Sequence, residues 1–123
     1  MAADTTIVVP CYNEARRLSV NAFRDFAAAH PSVRFIFVND GSTDQTPLVL
    51  QDLVSTSPDR FERVDQRINE GKAAAVRIGM LRAFADGGRY AGYWDADLST
   101  PLSEIPRFIE TLEELGVLSR TQR

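Results

Sequence analysis

The chain has 123 residues, a length that suits one small domain and leaves little room for a second. Hydrophobic residues make up 44% and charged residues 25%, which are ordinary values for a soluble globular domain. The formal net charge of −3 argues against a nucleic-acid-binding protein, which normally carries a basic face, but it does not exclude local binding of phosphate.

Three features of the sequence predict a cytoplasmic chain. The single cysteine, Cys11, rules out an intrachain disulfide and favours a reducing compartment. The N-terminal residues Met1 to Asp4 show no basic patch followed by an apolar stretch, as a targeting segment would. The apolar runs are far shorter than the ~20 residues that cross a bilayer.

Short runs of β-branched and aromatic residues alternate with stretches of helical spacing. The predicted strands are Thr5 to Cys11, Val33 to Asn39, Phe61 to Asp65 and Tyr90 to Trp94. The predicted helix faces are Leu18, Ala22, Phe23, Phe26 and Ala27; Leu50, Leu53 and Val54; Ala73, Val76, Met80, Ala83 and Phe84; and Ile105, Phe108, Ile109, Leu112 and Leu115. This alternation predicts an α/β domain with a mainly parallel sheet.

Two features set the predicted starts of helices. Ser42 to Gln45 has the S-x-x-Q form of a capping box and lies just ahead of the second helix. Pro106 limits the start of the fourth helix, because a proline costs no helical hydrogen bond only in the first turn. Thr100 as the N-cap would place Pro106 too deep in the helix, so we expect Ser103 to be the N-cap.

A polar cluster follows each of the four predicted strands. The clusters are Pro10 to Glu14 (PCYNE), Asp40 to Asp44 (DGSTD), Asn69 to Lys72 (NEGK) and Asp95 to Asp97 (DAD). Parallel strands joined by right-handed crossovers end at one edge of the sheet, and ligands bind there, near the point where strand order reverses. Turn chemistry explains some Asp, Asn and Gly, but it requires neither Tyr12 nor Lys72. The sequence therefore predicts a ligand site at this edge.

The paired aspartates indicate a metal. Asp95 and Asp97 lie two residues apart and can present their carboxylates in one direction from an extended segment. Neighbouring carboxylates repel each other unless a cation lies between them, and oxygen ligands suit Mg²⁺ or Mn²⁺ completed by substrate phosphates. The alternative is a pair of solvated loop acids.

Three other side chains are candidates for ligand contacts. Lys72 stands at the predicted start of the third helix, where free N–H groups and the lysine charge favour a phosphate. Asp40 can accept hydrogen bonds from a base, and Tyr12 can pack on a base or a ribose. The alternatives are a solvated lysine, an ordinary turn aspartate and a surface aromatic residue. Arg77 can point to the ligand or to solvent, and the sequence favours neither.

Four conspicuous residues are assigned no role in the site. We expect His30 to be a solvated loop histidine and Cys11 to be a small buried hydrophobic residue. Tyr93 and Trp94 are expected to pack on the sheet rather than to bind a sugar.

Four segments, in this order and spacing, resemble the family 2 glycosyltransferases, which are inverting enzymes of the GT-A fold. They are VVPCYNE (Val8 to Glu14), VNDGSTDQT (Val38 to Thr46), NEGKAAAVRIGM (Asn69 to Met80) and DADLSTP (Asp95 to Pro101). Within the family they look most like the polyprenyl- (dolichyl-) phosphate glucosyl- and mannosyltransferases. The resemblance implies that residues 1–123 are the Rossmann-like, nucleotide-sugar-binding (donor) part of such a domain, without the acceptor part.

The resemblance also implies roles for matching residues on the nucleoside side. Pro10, Tyr12 and Glu14 match the first-strand motif that lines the nucleoside pocket, and Asn13 lies within that motif. Asp40 matches the aspartate that usually contacts the base.

On the phosphate side, Lys72 matches a basic position near the nucleotide and its phosphates. Asp95, Ala96 and Asp97 match the D-x-D segment, in which the first aspartate tends to meet the nucleotide and the second the divalent metal, Mg²⁺ or Mn²⁺. In polyprenyl-phosphate mannosyltransferases a glutamine two residues further on can also bind the metal. Ser99 occupies that position here, which argues against a mannosyl assignment, and we expect UDP in preference to GDP.

The expected function of the complete enzyme is transfer of a sugar, with inversion, from a nucleoside diphosphate to an acceptor such as a polyprenyl phosphate at the membrane surface. Any general base and the acceptor site are expected beyond Arg123, since Gly116 to Arg123 does not look like a further strand of the family. One alternative is an inactive or structural fragment that self-associates through exposed sheet edges. The other is a phosphate-binding regulatory domain with Asp40 or Asp95 as the phosphoacceptor.

Overall fold

The structure is a computed structural model that describes residues 4–121, and the surroundings of side chains up to Leu115. The elements in chain order are β1 (Thr5–Cys11), α1 (Val20–Ala29), β2 (Val33–Asp40), α2 (Thr46–Thr56), β3 (Phe61–Gln66), α3 (Lys72–Ala85), β4 (Tyr90–Tyr93), a 3₁₀ turn (Leu102–Glu104) and α4 (Ile105–Thr121). All four predicted strands are present, with ends that differ from the prediction by at most one residue. Residues 1–3 of the predicted N-terminus and residues 122–123 of the predicted tail lie outside the description.

The sheet is parallel throughout, with the strand order β3-β2-β1-β4. The chain runs outward from β1 to β2 and β3, and then returns to place β4 on the other side of β1. Strand order therefore reverses between β1 and β4, and the carboxyl ends of these two strands flank the crevice where open α/β sheets bind ligands. The predicted α/β class and the parallel sheet are confirmed.

Helices cover both faces of the sheet, so its two central strands, β1 and β2, are almost entirely buried. On one face, α1, α2 and the start of α4 enclose a core in which Phe23 meets Phe35 and Phe37 edge-on, with ring centroids 5.3 and 5.1 Å apart. On the other face, α3 packs against Val8, Ile36 and Val38. The predicted buried positions Leu50 and Leu53 of α2 are fully buried.

Helix α3 packs most closely against the sheet through small residues, of which only Ala83 belongs to the predicted face. Its buried positions are Ala75, Gly79 and Ala83, spaced four residues apart. A methyl group on Gly79 would overlap the Val8 side chain, so helix and strand are in direct contact there. The predicted face is confirmed at Ala83, and Met80 packs against the same core, but the prediction was wrong at Ala73 and Phe84, which are exposed.

Helix α1 starts later than the predicted face implies. Leu18 precedes the helix, and Ser19 is the N-cap, with its hydroxyl accepting a hydrogen bond from the Ala22 N–H. Leu18 and Phe23 occupy the two positions of a hydrophobic staple, and both belong to the same core. The pattern thus identified Leu18 as buried but gave it the wrong local structure.

Three further local predictions were wrong. The residue before α2 is Gln45, but its side chain makes no capping hydrogen bond; Asp44 Oδ1 instead accepts from the Thr46 N–H at 2.9 Å. Ser103 lies inside the 3₁₀ turn and α4 begins at Ile105, which still places Pro106 in the first helical turn as expected. Leu115 is exposed, because α4 extends beyond the sheet that buries its first turn.

The expected self-association through sheet edges has no support. The outer strand β3 carries Glu62, Arg63 and Asp65, and these charges form ion pairs with neighbouring side chains of the same molecule. Charged side chains on an edge strand oppose pairing with another sheet.

Candidate functional site

An open cleft of about 320 Å³ lies at the carboxyl ends of the strands, at the reversal of strand order between β1 and β4. Its walls come from the segments that follow all four strands. The lining residues are Pro10, Cys11, Tyr12, Glu14, Asp40, Asn69, Gly71, Lys72, Asp95, Ala96 and Asp97. The structure therefore brings together every predicted site residue except Asn13.

The loops after β1 and β2 are joined by hydrogen bonds that hold one wall of the cleft. Asn13 has a positive φ of 51°, and its Oδ1 accepts from the Thr43 N–H at 2.9 Å while its own N–H donates to Ser42 Oγ. The Glu14 N–H donates to the Thr46 hydroxyl at 2.9 Å. Asn13 thus shapes the loop and does not line the cleft, and its predicted place in the nucleoside pocket is indirect in this geometry.

Asp40 is 2% exposed, and its carboxylate organises the loop that leads into α3. It accepts hydrogen bonds from the N–H groups of Glu70 and Gly71, at 2.8 and 3.0 Å, and from Asn69 Nδ2 at 3.1 Å. A carboxylate has about four acceptor positions, so this network leaves about one. Asp40 can therefore make one further hydrogen bond to a ligand without releasing the loop.

Gly41 makes this arrangement possible. Its φ is 64°, and a Cβ at this position would overlap the backbone of Ile68 and Asn69. Glycine is the residue that accepts such a conformation and such a close approach without strain. The loops after β2 and β3 therefore meet directly, and this contact brings Asp40 to Asn69 and Gly71.

Lys72 and Asp95 form an ion pair across the cleft. Lys72 is the first residue of α3, and its Nζ lies 2.6 Å from Asp95 Oδ1 and 5.3 Å from the centre of the Tyr93 ring. The hydrogen bond to Asp95 raises the pKa of Lys72, so the ammonium stays protonated. Both side chains are about half exposed, which gives the pair little value for stability and leaves it open to exchange with a ligand.

Ser99 fixes the orientation of both aspartates. Its hydroxyl lies 3.3 Å from Asp95 Oδ2, and its N–H donates to Asp97 Oδ1 at 3.0 Å. Leu98 turns the chain with a φ of 57°, so that Ser99 folds back onto the D-x-D segment. In the sequence, Ser99 was notable only because it stands where polyprenyl-phosphate mannosyltransferases can have a metal-binding glutamine. Its contacts with the two aspartates depend on the turn at Leu98, which no sequence pattern predicted.

The donor atoms in this part of the cleft fit a hard divalent cation only in part. Asp95 and Asp97 supply carboxylate oxygens of the kind that Mg²⁺ and Mn²⁺ prefer, and each has at least one oxygen oriented by Ser99. Within the described residues, no group of three His, Cys, Asp or Glu side chains is arranged to hold a metal. Such a site suits an ion whose remaining ligands are water and substrate phosphate.

Glu14 contributes a buried carboxylate to the wall of the cleft. One oxygen pairs with Arg17 at 2.8 Å, and the other, Oε2, is buried without a partner among the described residues. Burial raises the pKa of Glu14 above its ordinary value, opposed by Arg17 and reinforced by the negative charges of Asp97 and Asp44. Oε2 can therefore accept a hydrogen bond, and it lies on the same wall of the cleft as Tyr12.

Three residues of the predicted polar clusters line the cleft although the sequence assigned them no individual role there. Asn69 and Gly71 stand in the NEGK segment and were read as part of a polar cluster, but their bonds to Asp40 require the close approach at Gly41. Cys11 lines the cleft while being only 1% exposed, and burial raises the pKa of its thiol, so it is the inert hydrophobic residue that the sequence predicted.

Other conspicuous residues are placed as follows. Trp94 is buried, donates from its indole to the Thr100 carbonyl at 2.8 Å and packs on Phe108, as expected. Tyr93 does not pack in the sheet as predicted; it is 51% exposed, because β4 is an edge strand and this residue points to the side of Lys72. His30 stacks on Phe26 at the end of α1. Arg77 is exposed and does not line the cleft.

Sequence comparison assigns the family. Residues 6–119 match the profile of Glycosyl transferase family 2, so the chain belongs to this family of glycosyltransferases. An undecaprenyl-phosphate 4-deoxy-4-formamido-L-arabinose transferase of Pseudomonas savastanoi is 35% identical over 112 residues, which cover 89% of this chain and 32% of the relative. A dolichyl-phosphate beta-glucosyltransferase of Trichomonas vaginalis is 30% identical, covering 94% of this chain and 36% of the relative.

Solved structures agree with this assignment. A mannosyltransferase of Pyrobaculum calidifontis, determined with GDP-Man and Mn²⁺, superposes with a TM-score of 0.66 and 26% identity over 79% of this chain and 28% of that one. S. aureus TarS in complex with UDP superposes with a TM-score of 0.60 at 19% identity, again over 79% of this chain and 28% of that one, which shows a shared fold. The GT-A fold implied by the resemblance is confirmed.

Two consequences follow from the comparisons. The chain spans about a third of the length of the curated relatives it matches. Membership of the family also overturns the alternative of a phosphoacceptor regulatory domain. Separately, none of the helices in the described part of the chain is long and apolar enough to span a membrane.

Proposed function

We propose that residues 1–123 are the donor-binding part of an inverting glycosyltransferase and that the cleft binds a nucleoside-diphosphate sugar together with Mg²⁺ or Mn²⁺. The observation that carries the proposal is the convergence of Asp40, Lys72, Asp95 and Asp97 at the reversal of strand order. The relative of known structure with GDP-Man and Mn²⁺ supports the same class of ligand.

In this proposal, each wall of the cleft contacts a different part of the donor. Tyr12, 44% exposed, offers a ring on which a base or ribose can pack, and Asp40 keeps about one acceptor position for a base N–H. Glu14 Oε2 is a second unpartnered acceptor on that wall. The nucleoside would lie between the ends of β1 and β2, with its diphosphate toward Lys72.

The proposed chemistry is a direct displacement at the anomeric carbon. The acceptor oxygen forms a bond to this carbon as the bond to the diphosphate oxygen breaks, and the nucleoside diphosphate leaves with the negative charge. A divalent ion held by Asp97 and Asp95 would supply electrostatic stabilisation of that charge when bound. Lys72 would stabilise the same charge as a second cation.

A polyprenyl phosphate is the proposed acceptor, since both curated relatives described above are named as transferases to polyprenyl or dolichyl phosphate. A phosphate oxygen is already anionic and can attack without a general base. The acceptor site, and any base that another acceptor would need, are proposed to lie beyond Arg123. Catalysis by these residues alone is not part of the proposal.

Isothermal titration calorimetry with UDP and with GDP, each with and without Mn²⁺, tests donor binding and identifies the base. We expect one nucleotide, UDP by the sequence argument, to bind more tightly with Mn²⁺, and Asp97→Asn to weaken that binding at least about tenfold. Asp59→Asn is the matched control, because Asp59 is exposed in the turn before β3, at the opposite end of the sheet. Absence of metal-dependent binding by a folded sample would contradict the proposal.

A further inference from the structure

The ammonium of Lys72 lies where a cation beside Asp95 would be expected to bind. Asp95 Oδ1 pairs with Lys72 Nζ at 2.6 Å, and Asp95 Oδ2 is close to the Ser99 hydroxyl, so both carboxylate oxygens already have partners. Asp97 is held only through Oδ1, by the Ser99 N–H. A divalent cation that needs Asp95 must therefore compete with a positive charge already bound to it.

Two further features attract charge at Lys72. While it is paired with Asp95, its ammonium also lies 5.3 Å from the centre of the exposed Tyr93 ring, a contact that favours a cation. It also stands at the first residue of α3, where a phosphate group is favoured by free N–H groups. Because its side chain is about half exposed, Lys72 can leave Asp95 by a change of side-chain rotamer, toward a diphosphate at the start of this helix.

We propose that Lys72 acts as an internal competitor for the metal: it neutralises Asp95 in the ligand-free protein and is transferred to the diphosphate when nucleotide binds. The inference rests on the proposed donor function and adds a coupling between the two ligands. Metal alone binds weakly because Lys72 repels it and occupies Asp95. Nucleotide draws Lys72 away, frees Asp95 and so strengthens metal binding; by linkage, metal strengthens nucleotide binding by the same factor.

Loss of Lys72 should change the affinity for Mn²⁺ alone and the affinity for nucleotide with Mn²⁺ in opposite directions. In Lys72→Met the ammonium no longer competes for Asp95, so Mn²⁺ alone should bind about tenfold more tightly than to the unchanged protein. The same variant has lost a phosphate contact, so UDP or GDP in the presence of Mn²⁺ should bind about tenfold more weakly. A lysine that only contacts phosphate would give the second effect without the first.

Mn²⁺ binding without nucleotide can be measured from the electron paramagnetic resonance signal of the free aqueous ion. Arg77→Met is the matched control, since it removes one positive charge from the exposed side of the same helix, outside the cleft. Lys72→Arg keeps the charge and should keep Mn²⁺ binding weak. The double variant Lys72→Met with Asp95→Asn should lose the gain, because the carboxylate released by the first change is removed by the second.

The possible results separate this inference from the proposed function. Tighter Mn²⁺ binding in Lys72→Met, absent in Arg77→Met, supports the competition even if no variant binds nucleotide. Unchanged or weaker Mn²⁺ binding in Lys72→Met overturns it, even if the original chain binds nucleotide with metal. An equal gain in Arg77→Met also overturns it, because the effect would then reflect overall charge rather than displacement at Asp95.

Discussion

Glu14 combines a buried carboxylate oxygen with a place in the wall of the cleft, and its contribution to stability should depend on pH. Burial raises its pKa, so the folded state holds the proton more strongly than the unfolded state. The stabilising effect of the proton is complete below the unfolded pKa of about 4.3 and is lost as pH rises through the higher folded value. At neutral pH, an ionised Glu14 therefore destabilises the fold.

The prediction concerns Glu14→Gln, which cannot ionise. Relative to the unchanged protein, its free energy of unfolding should rise between about pH 4 and about pH 7, with a gain of about 1 kcal/mol at the higher pH. Urea unfolding at both pH values measures this. Glu110→Gln, on the exposed face of α4, controls for the loss of one charge. A gain that is equal at both pH values, or a loss at pH 7 alone, would contradict the role assigned to burial.

At the level of single residues, the sequence predicted which side chains lie together in the cleft but not which hydrogen bonds and ion pairs they form. The polar clusters after each strand placed Asp40, Lys72, Asp95 and Asp97 at one edge, because parallel topology requires it. Their present partners depend on two backbone conformations, the positive φ of Gly41 and of Leu98. A glycine after an aspartate indicates a turn, but the contact of Gly41 with the loop after β3 and the turn at Leu98 have no pattern of residue types along the chain that specifies them.

Among the elements, α3 shows where hydrophobic periodicity is an incomplete guide. The 3.6-residue pattern of large apolar residues identified a helix, but the buried stripe consists of Ala75, Gly79 and Ala83. Small residues contribute little to a hydrophobic pattern, although their size determines how closely a helix can approach a sheet. The predicted helix was confirmed, and its predicted face was right at Ala83 but wrong at Ala73 and Phe84.

The close packing of α3 predicts an unusual sign for a glycine-to-alanine change. Alanine in a helix interior is normally more stable than glycine by about 1 kcal/mol. At Gly79 the added methyl group would overlap Val8 of the central strand β1, and overpacking of this kind costs about 1–3 kcal/mol. The clash should prevail, so Gly79→Ala is expected to lower the free energy of unfolding by up to about 2 kcal/mol.

Chemical unfolding of Gly79→Ala tests this balance directly. A second variant, Ala73→Gly, examines the helix-propensity term alone at an exposed position of the same helix, where we expect a loss of about 1 kcal/mol. Increased stability of Gly79→Ala would show that α3 lies further from β1 than described.

For the whole molecule, we propose that this part of a family 2 glycosyltransferase folds into a complete donor site. The parallel α/β sheet was predictable, although its strand order was not, and the residues lining the cleft come from every strand end from β1 to β4. The acceptor side was not predictable from these residues, because the chain spans about a third of its curated relatives. Donor binding is therefore the activity that this chain can be asked to show.

The most direct test is calorimetric melting of the chain alone, with Mn²⁺, with a nucleoside diphosphate, and with both. A ligand present at 100 times its dissociation constant stabilises the fold by about 2.7 kcal/mol. For a domain of this size we expect Tm to rise by roughly 10 °C with both ligands together and by much less with either one. A chain that unfolds cooperatively, yet shows the same Tm in all four conditions with UDP and with GDP, would contradict the account.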